Sequence, residues 1–187
     1  MALPKRSATA LAVALSVVAS LALAGTAFGA DLRVVKVQDD CDQATFDAAV
    51  GPGTCVGDGR TTFQDFLAEF QAQGSVDRWA FSRPDFHVDS DGVIELVSEG
   101  GEVHTFTEVQ QFGNGCIPLF DDPAAQPAFD CSQFPDGIVG ASGVFPGTTR
   151  TIEAADLGPG VHLFQCAIHP WMRSVVEVRD KERGGRG

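Results

Sequence analysis

The feature that most constrains the fold is the stretch GVHLFQCAIHPWMRSVVEV, which runs from Gly160 to Val178 near the end of the chain. Its two ends have the composition of strands, and between them Cys166, His169 and Met172 stand three residues apart. A strand that opens into a short loop and returns at once as another strand brings the side chains of that loop to one point. The chain therefore has to place a thiol, an imidazole and a thioether together at one end of a sheet.

This set of groups predicts a copper site. A type 1 copper centre has one Cys thiolate and two His nitrogens in a trigonal plane, with a Met sulfur as a weak and long axial ligand. The loop supplies three of these four groups, so the second imidazole must come from elsewhere. His104, in GEVHTFTEV after a Gly-Gly turn, is the best candidate because it begins a segment with strand composition. The predicted ligands of one copper are thus His104, Cys166, His169 and Met172.

The other two histidines are predicted to be structural. His162 shares a strand face with Phe164 and Cys166, which favours a buried and hydrogen-bonded side chain. His87 lies within the short strand DFHV, and no sulfur-bearing residue is near it in sequence.

Residues 1–30 have the pattern of a signal peptide, because two basic residues precede an apolar run from about 11 to 24 and small residues follow. The apolar run is shorter than a membrane span. We expect cleavage near Gly29 or Ala30 and export to the periplasm or the extracellular space.

The chain is acidic, with 13 basic against 25 acidic residues and a formal net charge of −12, which becomes −14 without the two basic residues of the signal peptide. Nucleic acid and anionic lipid are therefore not expected as partners. Acidity in an exported protein usually serves solubility, and it is compatible with a partner that has a basic docking face.

All five cysteines follow residue 30, in a chain expected to reach an oxidising compartment. With Cys166 assigned to metal, the other four allow three pairings. We favour Cys41 with Cys55 and Cys116 with Cys131, because each pair closes one short polar segment rich in Pro and Gly. Each such loop is worth about 3 kcal/mol in the chain-entropy treatment.

The remaining patterns predict an all-β domain with one short N-terminal helix. The helix opens at Thr61, with Gln64 as its capping partner, and Gly74 ends it. Strand LRVVKV precedes this helix, and from Arg78 several short apolar segments separated by turn residues indicate a sandwich of antiparallel strands. Residues 110–149 are loop-like, contain five prolines and the second cysteine pair, and are predicted to be a tethered insert.

The loop CAIHPWM resembles the copper loop of the cupredoxins, the small blue copper proteins of the plastocyanin and azurin group, and is especially similar to that of amicyanin. The resemblance covers roughly residues 79 to 178. It implies a Greek-key β-sandwich, and it carries His104, Cys166, His169 and Met172 over as the ligands.

We accordingly expect four segments. Residues 1–30 are the signal peptide, and residues 31–78 form a strand, a disulfide loop and a helix that pack on the domain. Residues 79–179 form the copper-binding domain, and residues 180–187 are a disordered tail.

The resemblance also implies a route for electrons. In similar proteins the histidine that matches His169 exposes its ring edge through an apolar patch, which here would include Pro170 and Trp171. Two residues depart from the common pattern: Thr105 follows the first ligand where the family often has Asn, and Gln165 precedes the cysteine where plastocyanin has an aromatic residue.

The sequence favours a one-electron carrier, cycling between Cu(I) and Cu(II), over an enzyme. In similar copper oxidases and nitrite reductases a histidine beside the cysteine leads to a catalytic copper, whereas here Gln165 and Ala167 flank it, and the chain has no His-x-His pair. The expected partners are redox proteins, and a monomer is expected. Two alternatives are copper handling, for which two methionines are few, and a non-redox structural sandwich.

Overall fold

The computed structural model of the protein describes residues 31–180. The predicted signal peptide at 1–30, and residues 181–187 of the predicted tail, lie outside the described residues. Within residues 31–180, no helix combines the length and the apolarity needed to cross a membrane.

Strands dominate the described residues, and four short α-helices join them. In chain order the elements are β1 (Leu32–Gln38), α1 (Gln43–Ala49), α2 (Phe63–Gln73), β2 (Ala80–Phe81), β3 (Asp85–Asp89), β4 (Val93–Glu99), β5 (His104–Thr105), β6 (Thr107–Val109), α3 (Asp136–Ser142), β7 (Gly143–Val144), β8 (Thr149–Glu153), α4 (Ala154–Leu157), β9 (Gly160–Gln165) and β10 (Arg173–Arg179), with single 3-10 turns at Pro118–Phe120 and Cys131–Gln133.

The strands form two four-stranded sheets, in the orders β2-β1-β4-β8 and β3-β10-β9-β6, and β5 pairs separately with β7. Most neighbours are antiparallel, but β1 runs parallel to β4 and β3 runs parallel to β10. Parallel neighbours arise because the chain changes sheet between them: β3 of the second sheet separates β1 and β4 in sequence. The Greek-key, cupredoxin-like β-sandwich predicted from the sequence is confirmed.

The core lies between the two sheets. Burial alternates along β1, β4 and β10, as expected where one face of each strand packs inward. Phe106 and Phe164 stack at the centre with ring centroids 4.3 Å apart. The fully buried aliphatic residues of these three strands are Val35, Val37, Ile94, Leu96 and Val176.

Strand β1 is an integral part of the sandwich, because it lies between β2 and β4 and pairs with β4 along its whole length, from Leu32↔Val93 to Gln38↔Glu99. The segment before residue 79 therefore contributes an inner strand of the first sheet as well as the two helices. The division of the chain at residues 78 and 79 stays a prediction.

Helix α2 begins one residue later than predicted. Its N-cap is Thr62, whose hydroxyl accepts a hydrogen bond from the Asp65 backbone N–H, and Gly74 ends it in the left-handed conformation at φ 71°. Thr61 is not available as the cap, because its hydroxyl donates to the Asp40 carboxylate at 2.9 Å and its N–H donates to the Asp40 carbonyl.

The structure contains helices where the sequence indicated loop. Helix α1, capped by Asp42, buries Phe46 alone, and α3 buries only Ser142. Helices of seven residues with one buried side chain show no periodic apolar stripe, so hydrophobic periodicity could not indicate them.

Two disulfides fasten the loops, Cys41–Cys55 and Cys116–Cys131, which are the pairs expected from the sequence. Cys166 is the free cysteine of the described residues, and it is buried. The Cys116 N–H donates to the Ala167 carbonyl at 2.6 Å. This hydrogen bond attaches the segment 116–131, which the second disulfide closes, to the loop that follows β9.

Replacing Cys116 and Cys131 together by Ser should lower the free energy of unfolding by about 3 kcal/mol, because the unfolded chain regains the freedom of a closed loop. Urea unfolding of the metal-free protein measures this difference. The same double replacement at Cys41 and Cys55, where the residue separation of 14 is nearly that of the second pair at 15, is the matched control and should cost a similar amount. An unchanged midpoint in the Cys116 and Cys131 variant would mean that the insert is held by its other contacts.

Candidate metal centre

Three of the four predicted ligands come together at one end of the sandwich. His104 begins β5, Cys166 directly follows β9, and His169 lies in the loop before β10. A ligand atom from each lies within 4.8 Å of those of the other two, and the Nδ1 atoms of the two histidines are 3.3 Å apart. No second group of three or more His, Cys, Asp or Glu side chains with this spacing occurs in residues 31–180.

The loop returns Met172 to the same place. The Met172 N–H donates to the His169 carbonyl at 2.9 Å, and the Cys166 N–H donates to the Met172 carbonyl at 3.0 Å, so a compact turn joins the ends of the loop. The Met172 side chain is buried. The Cys166 and Met172 backbones are therefore adjacent, and Met172 as a ligand stays a prediction.

The Cys166 sulfur accepts weak hydrogen bonds from the backbone N–H groups of Thr105, at 3.4 Å, and His169, at 3.5 Å. Burial opposes ionisation of this thiol, but the hydrogen bonds and charges of His104 and His169 outweigh it and hold the pKa of Cys166 well below its usual range. A thiolate is the form of cysteine that binds metal.

A fully buried carboxylate fixes His104. The Asp39 Oδ2 atom lies 2.8 Å from His104 Nε2, and neither side chain is exposed to solvent. Burial alone would lower the pKa of His104, but the hydrogen bonds to Asp39 and Cys166 raise it to about 10. Because Nε2 faces the carboxylate, Nδ1 is the nitrogen that faces Cys166 and His169, in the arrangement by which proteins orient histidine ligands.

Asp39 is itself held by the backbone. Its two oxygens accept the N–H groups of Gly101 at 2.9 Å and Glu102 at 3.1 Å. Burial opposes ionisation, but these bonds and the one to His104 lower the pKa of Asp39. Gly100 packs so closely on this carboxylate that a Cβ atom there would overlap it.

A second buried carboxylate stands behind His169. Glu102 Oε2 lies 3.8 Å from His169 Nε2 and accepts the indole N–H of Trp79 at 2.5 Å. Burial raises the pKa of Glu102, although the charges of both histidines oppose that shift.

Sequence reasoning missed both carboxylates. Nothing in the sequence distinguishes Asp39 from Asp40, because the hydrogen bond to His104 spans 65 positions of the chain. For Glu102 the available signal is that it stands two positions before His104.

The expectation that His169 exposes its ring edge is wrong. The residue is 2% exposed, and Pro170 is buried as well. Rings of three residues cover it, with centroid distances of 6.1 Å for Phe66, 5.7 Å for Phe120 and 5.3 Å for Trp171. Phe66 belongs to α2 and Phe120 to the insert, so the two parts of the chain outside the common pattern are the ones that close over the loop.

The two residues that depart from the common pattern both make hydrogen bonds beside the centre. The Thr105 hydroxyl accepts the Ala167 N–H at 2.8 Å and so joins the strand of His104 to the loop of Cys166. The Gln165 side chain accepts the Gly113 N–H at 3.0 Å and donates to the Gly113 carbonyl at 2.9 Å. Gln165 therefore attaches the start of the insert to the strand that leads to the thiol.

The histidines predicted to be structural stay outside this group. His162 bonds Glu108 at 2.7 Å and the Gly158 carbonyl at 2.9 Å, and His87 lies on an exposed position of β3.

The donor set fits copper. A thiolate and a thioether are soft ligands, and with two imidazoles they match the set that type 1 copper uses. Both histidines present the same ring nitrogen, and carboxylates stand behind their outer nitrogens.

No protein-family profile and no curated protein sequence matches the chain. Among solved structures it is similar to a purple cupredoxin from Nitrosopumilus maritimus, with 9% identity over 78% of this chain and 98% of that chain and a TM-score of 0.40. It is also similar to the reduced Cu(I) form of an amicyanin variant, with 15% identity over 56% and 78% and a TM-score of 0.34. A copper-containing nitrite reductase from Thermus scotoductus SA-01 is similar at 16% identity over 55% of this chain and 20% of that chain, with a TM-score of 0.35.

Replacing Asp39 by Asn should weaken copper binding about 10- to 100-fold, the usual cost of removing the partner of a histidine ligand. Both Asp39 oxygens accept N–H groups, so an amide nitrogen at either position would face donors. Competition with a chelator of known affinity measures the change.

Asp40→Asn is the matched control, because this neighbouring carboxylate pairs with Arg78 at 3.0 Å instead of with a histidine. Equal affinities of the two variants would show that Asp39 acts only through its charge.

Proposed function

We propose that the protein is an exported type 1 copper protein that carries single electrons between redox partners, with His104, Cys166, His169 and Met172 as the ligands of one copper. The observation that carries this proposal is the buried His/Cys/His group with a thiol of lowered pKa. The methionine of the loop completes the set of donors that type 1 copper requires.

Bound copper would supply a centre that alternates between Cu(I) and Cu(II). The chain's own contribution is to hold the four donors in one arrangement in both states. Asp39 fixes the ring of His104, and the turn from Cys166 to Met172 is closed by its own backbone hydrogen bonds. A rigid set of donors keeps the reorganisation that accompanies electron transfer small.

Burial favours a carrier over an enzyme. None of the four proposed ligand residues is more than 2% exposed, so a substrate has no direct approach to an open coordination position. An electron needs no such approach. Burial also weighs against copper storage or delivery, which needs ligands that exchange readily with solvent. A purely structural sandwich has no use for a buried thiol of lowered pKa beside two histidines.

Two disulfides fit an oxidising compartment outside the cytoplasm. We therefore propose export, with cleavage near Gly29 or Ala30. The proposed partners are redox proteins, and the proposed state is a monomer.

Replacing Cys166 by Ser should abolish the intense visible colour of the copper-loaded protein, because the charge-transfer band of a thiolate bound to Cu(II) has no other source once the other four cysteines are paired. Absorption and electron paramagnetic resonance spectra after copper addition test this. Circular dichroism of the variant is the control for folding. Colour that survives the replacement would remove Cys166 from the ligand set.

Replacing Met172 by Leu should leave copper bound and raise the reduction potential. The axial thioether is the weakest of the four donors and tunes the potential, so its loss favours Cu(I). Voltammetry of wild type and variant gives the difference. A potential equal to that of the wild type would place Met172 outside the coordination sphere.

A further inference from the structure

An electron that enters or leaves the proposed centre has to cross the aromatic cover of His169. Tunnelling weakens steeply with distance, so the important question is which covering ring reaches solvent. Phe66 and Phe120 are buried, whereas Trp171 is partly exposed. Trp171 also has the shortest centroid distance to His169 of these three rings, 5.3 Å. Among the described residues that cover His169, Trp171 therefore gives the shortest route to the surface.

Trp171 lines a surface groove with a volume of about 660 Å³. One wall is the end of α2 with the residues after it, and the other wall is the insert. The lining residues used below are Phe70, Phe120, Asp121, Asp122, Trp171 and Arg173.

The walls of this groove are fixed to the metal loop. The Cys116 N–H bonds the Ala167 carbonyl, and Gln165 bonds the backbone of Gly113. On the opposite side, the Phe70 ring lies 5.2 Å from Trp171 and 5.1 Å from Phe120. The opening over Trp171 is thus part of the same packed unit as the ligands.

The rim of the groove is acidic toward solvent. Asp121 and Asp122 are exposed at its edge. Among the described residues that line it, the one cation is Arg173, whose Nε atom donates to the Pro170 carbonyl at 2.7 Å and whose guanidinium lies over the Phe112 ring. It offsets one of these two negative charges and leaves the lining acidic. Together with the net charge of −12, this distribution favours a cationic partner.

We propose that Trp171, and not the edge of His169, is the electron port, and that this groove receives a redox protein with basic side chains around its redox centre. The proposal rests on the proposed function. In the forward step one Cu(I) becomes Cu(II), and the partner takes up one electron. Trp171 mediates the coupling and is not itself oxidised.

The main test uses the copper-loaded, reduced protein and a cationic one-electron oxidant, tris(phenanthroline)cobalt(III), with appearance of colour followed by stopped flow. Trp171→Leu should slow oxidation several-fold at an unchanged reduction potential. Phe145→Leu is the matched control, because Phe145 is another exposed aromatic residue, 46% exposed, and does not line the groove. Oxidation of Trp171→Leu at the wild-type rate would overturn the proposal that Trp171 is the electron port.

The charge of the partner is tested separately. Asp121→Asn combined with Asp122→Asn should slow oxidation by the cobalt cation and not slow oxidation by hexacyanoferrate(III), an anion. Equal effects on both oxidants would overturn the proposal that the groove receives a cationic partner. Asp121 and Asp122 are exposed, so we expect the double Asn variant to fold. It therefore tests the groove even if Trp171→Leu does not fold.

A readout without copper uses tryptophan fluorescence, since the chain has two tryptophans and Trp79 is 1% exposed. In the metal-free protein, with each ion's quenching scaled to its quenching of N-acetyltryptophanamide, caesium ion should quench more emission than iodide. That difference should vanish in Trp171→Phe and in the double Asp variant. Equal quenching by the two ions would overturn the acidic groove, whereas a wild-type protein that binds no copper would overturn the proposed function instead.

Discussion

The hydrogen bond between Asp39 and His104 is the contact on which the rest of the metal centre depends. Each of the two groups would be costly alone in the interior, because neither is exposed to solvent. Together, and with the N–H groups of Gly101 and Glu102 on the same carboxylate, they form a satisfied buried pair. The backbone that carries Asp39 has to approach Gly100 without a side chain between them. The position of the first histidine is therefore set by the residues that follow β1, far from it in sequence.

A second feature of the candidate centre is that aromatic rings exclude solvent from the loop that carries His169. Phe66, Phe120 and Trp171 replace the solvent that an uncovered His169 would contact. Electrostatic interactions are stronger in such surroundings, so the carboxylate of Asp39, whose pKa is lowered, acts on His104 with little screening. Negative charge held close to the ligands stabilises the more positive oxidation state of a bound metal.

The sequence predicts the parts of the centre that are local and misses those that depend on tertiary contacts. In the buried His/Cys/His group, Cys166 and His169 are predictable because they share one loop, and His104 because it follows a turn at the start of a strand. Asp39 has no such mark, since its importance comes from a contact across the fold. The cover of His169 was also missed, because the resemblance to cupredoxins extends over residues 79–178, whereas Phe66 lies before that segment and the insert that carries Phe120 has no counterpart in the common pattern.

The presence of Gln165 and Thr105, the two residues that depart from the common cupredoxin pattern, can be explained by the contacts of the insert and of the loop. An insert that lies over the metal loop needs an attachment to the strand that leads to the thiol. The Gln165 amide accepts the N–H of Gly113 and donates to the carbonyl of the same residue, which an aromatic side chain could not do. Thr105 joins the two ligand-bearing segments in a similar way through the Ala167 N–H. Both residues thus connect backbone segments around the site, and the insert held in this way carries Phe120, one of the rings that cover His169.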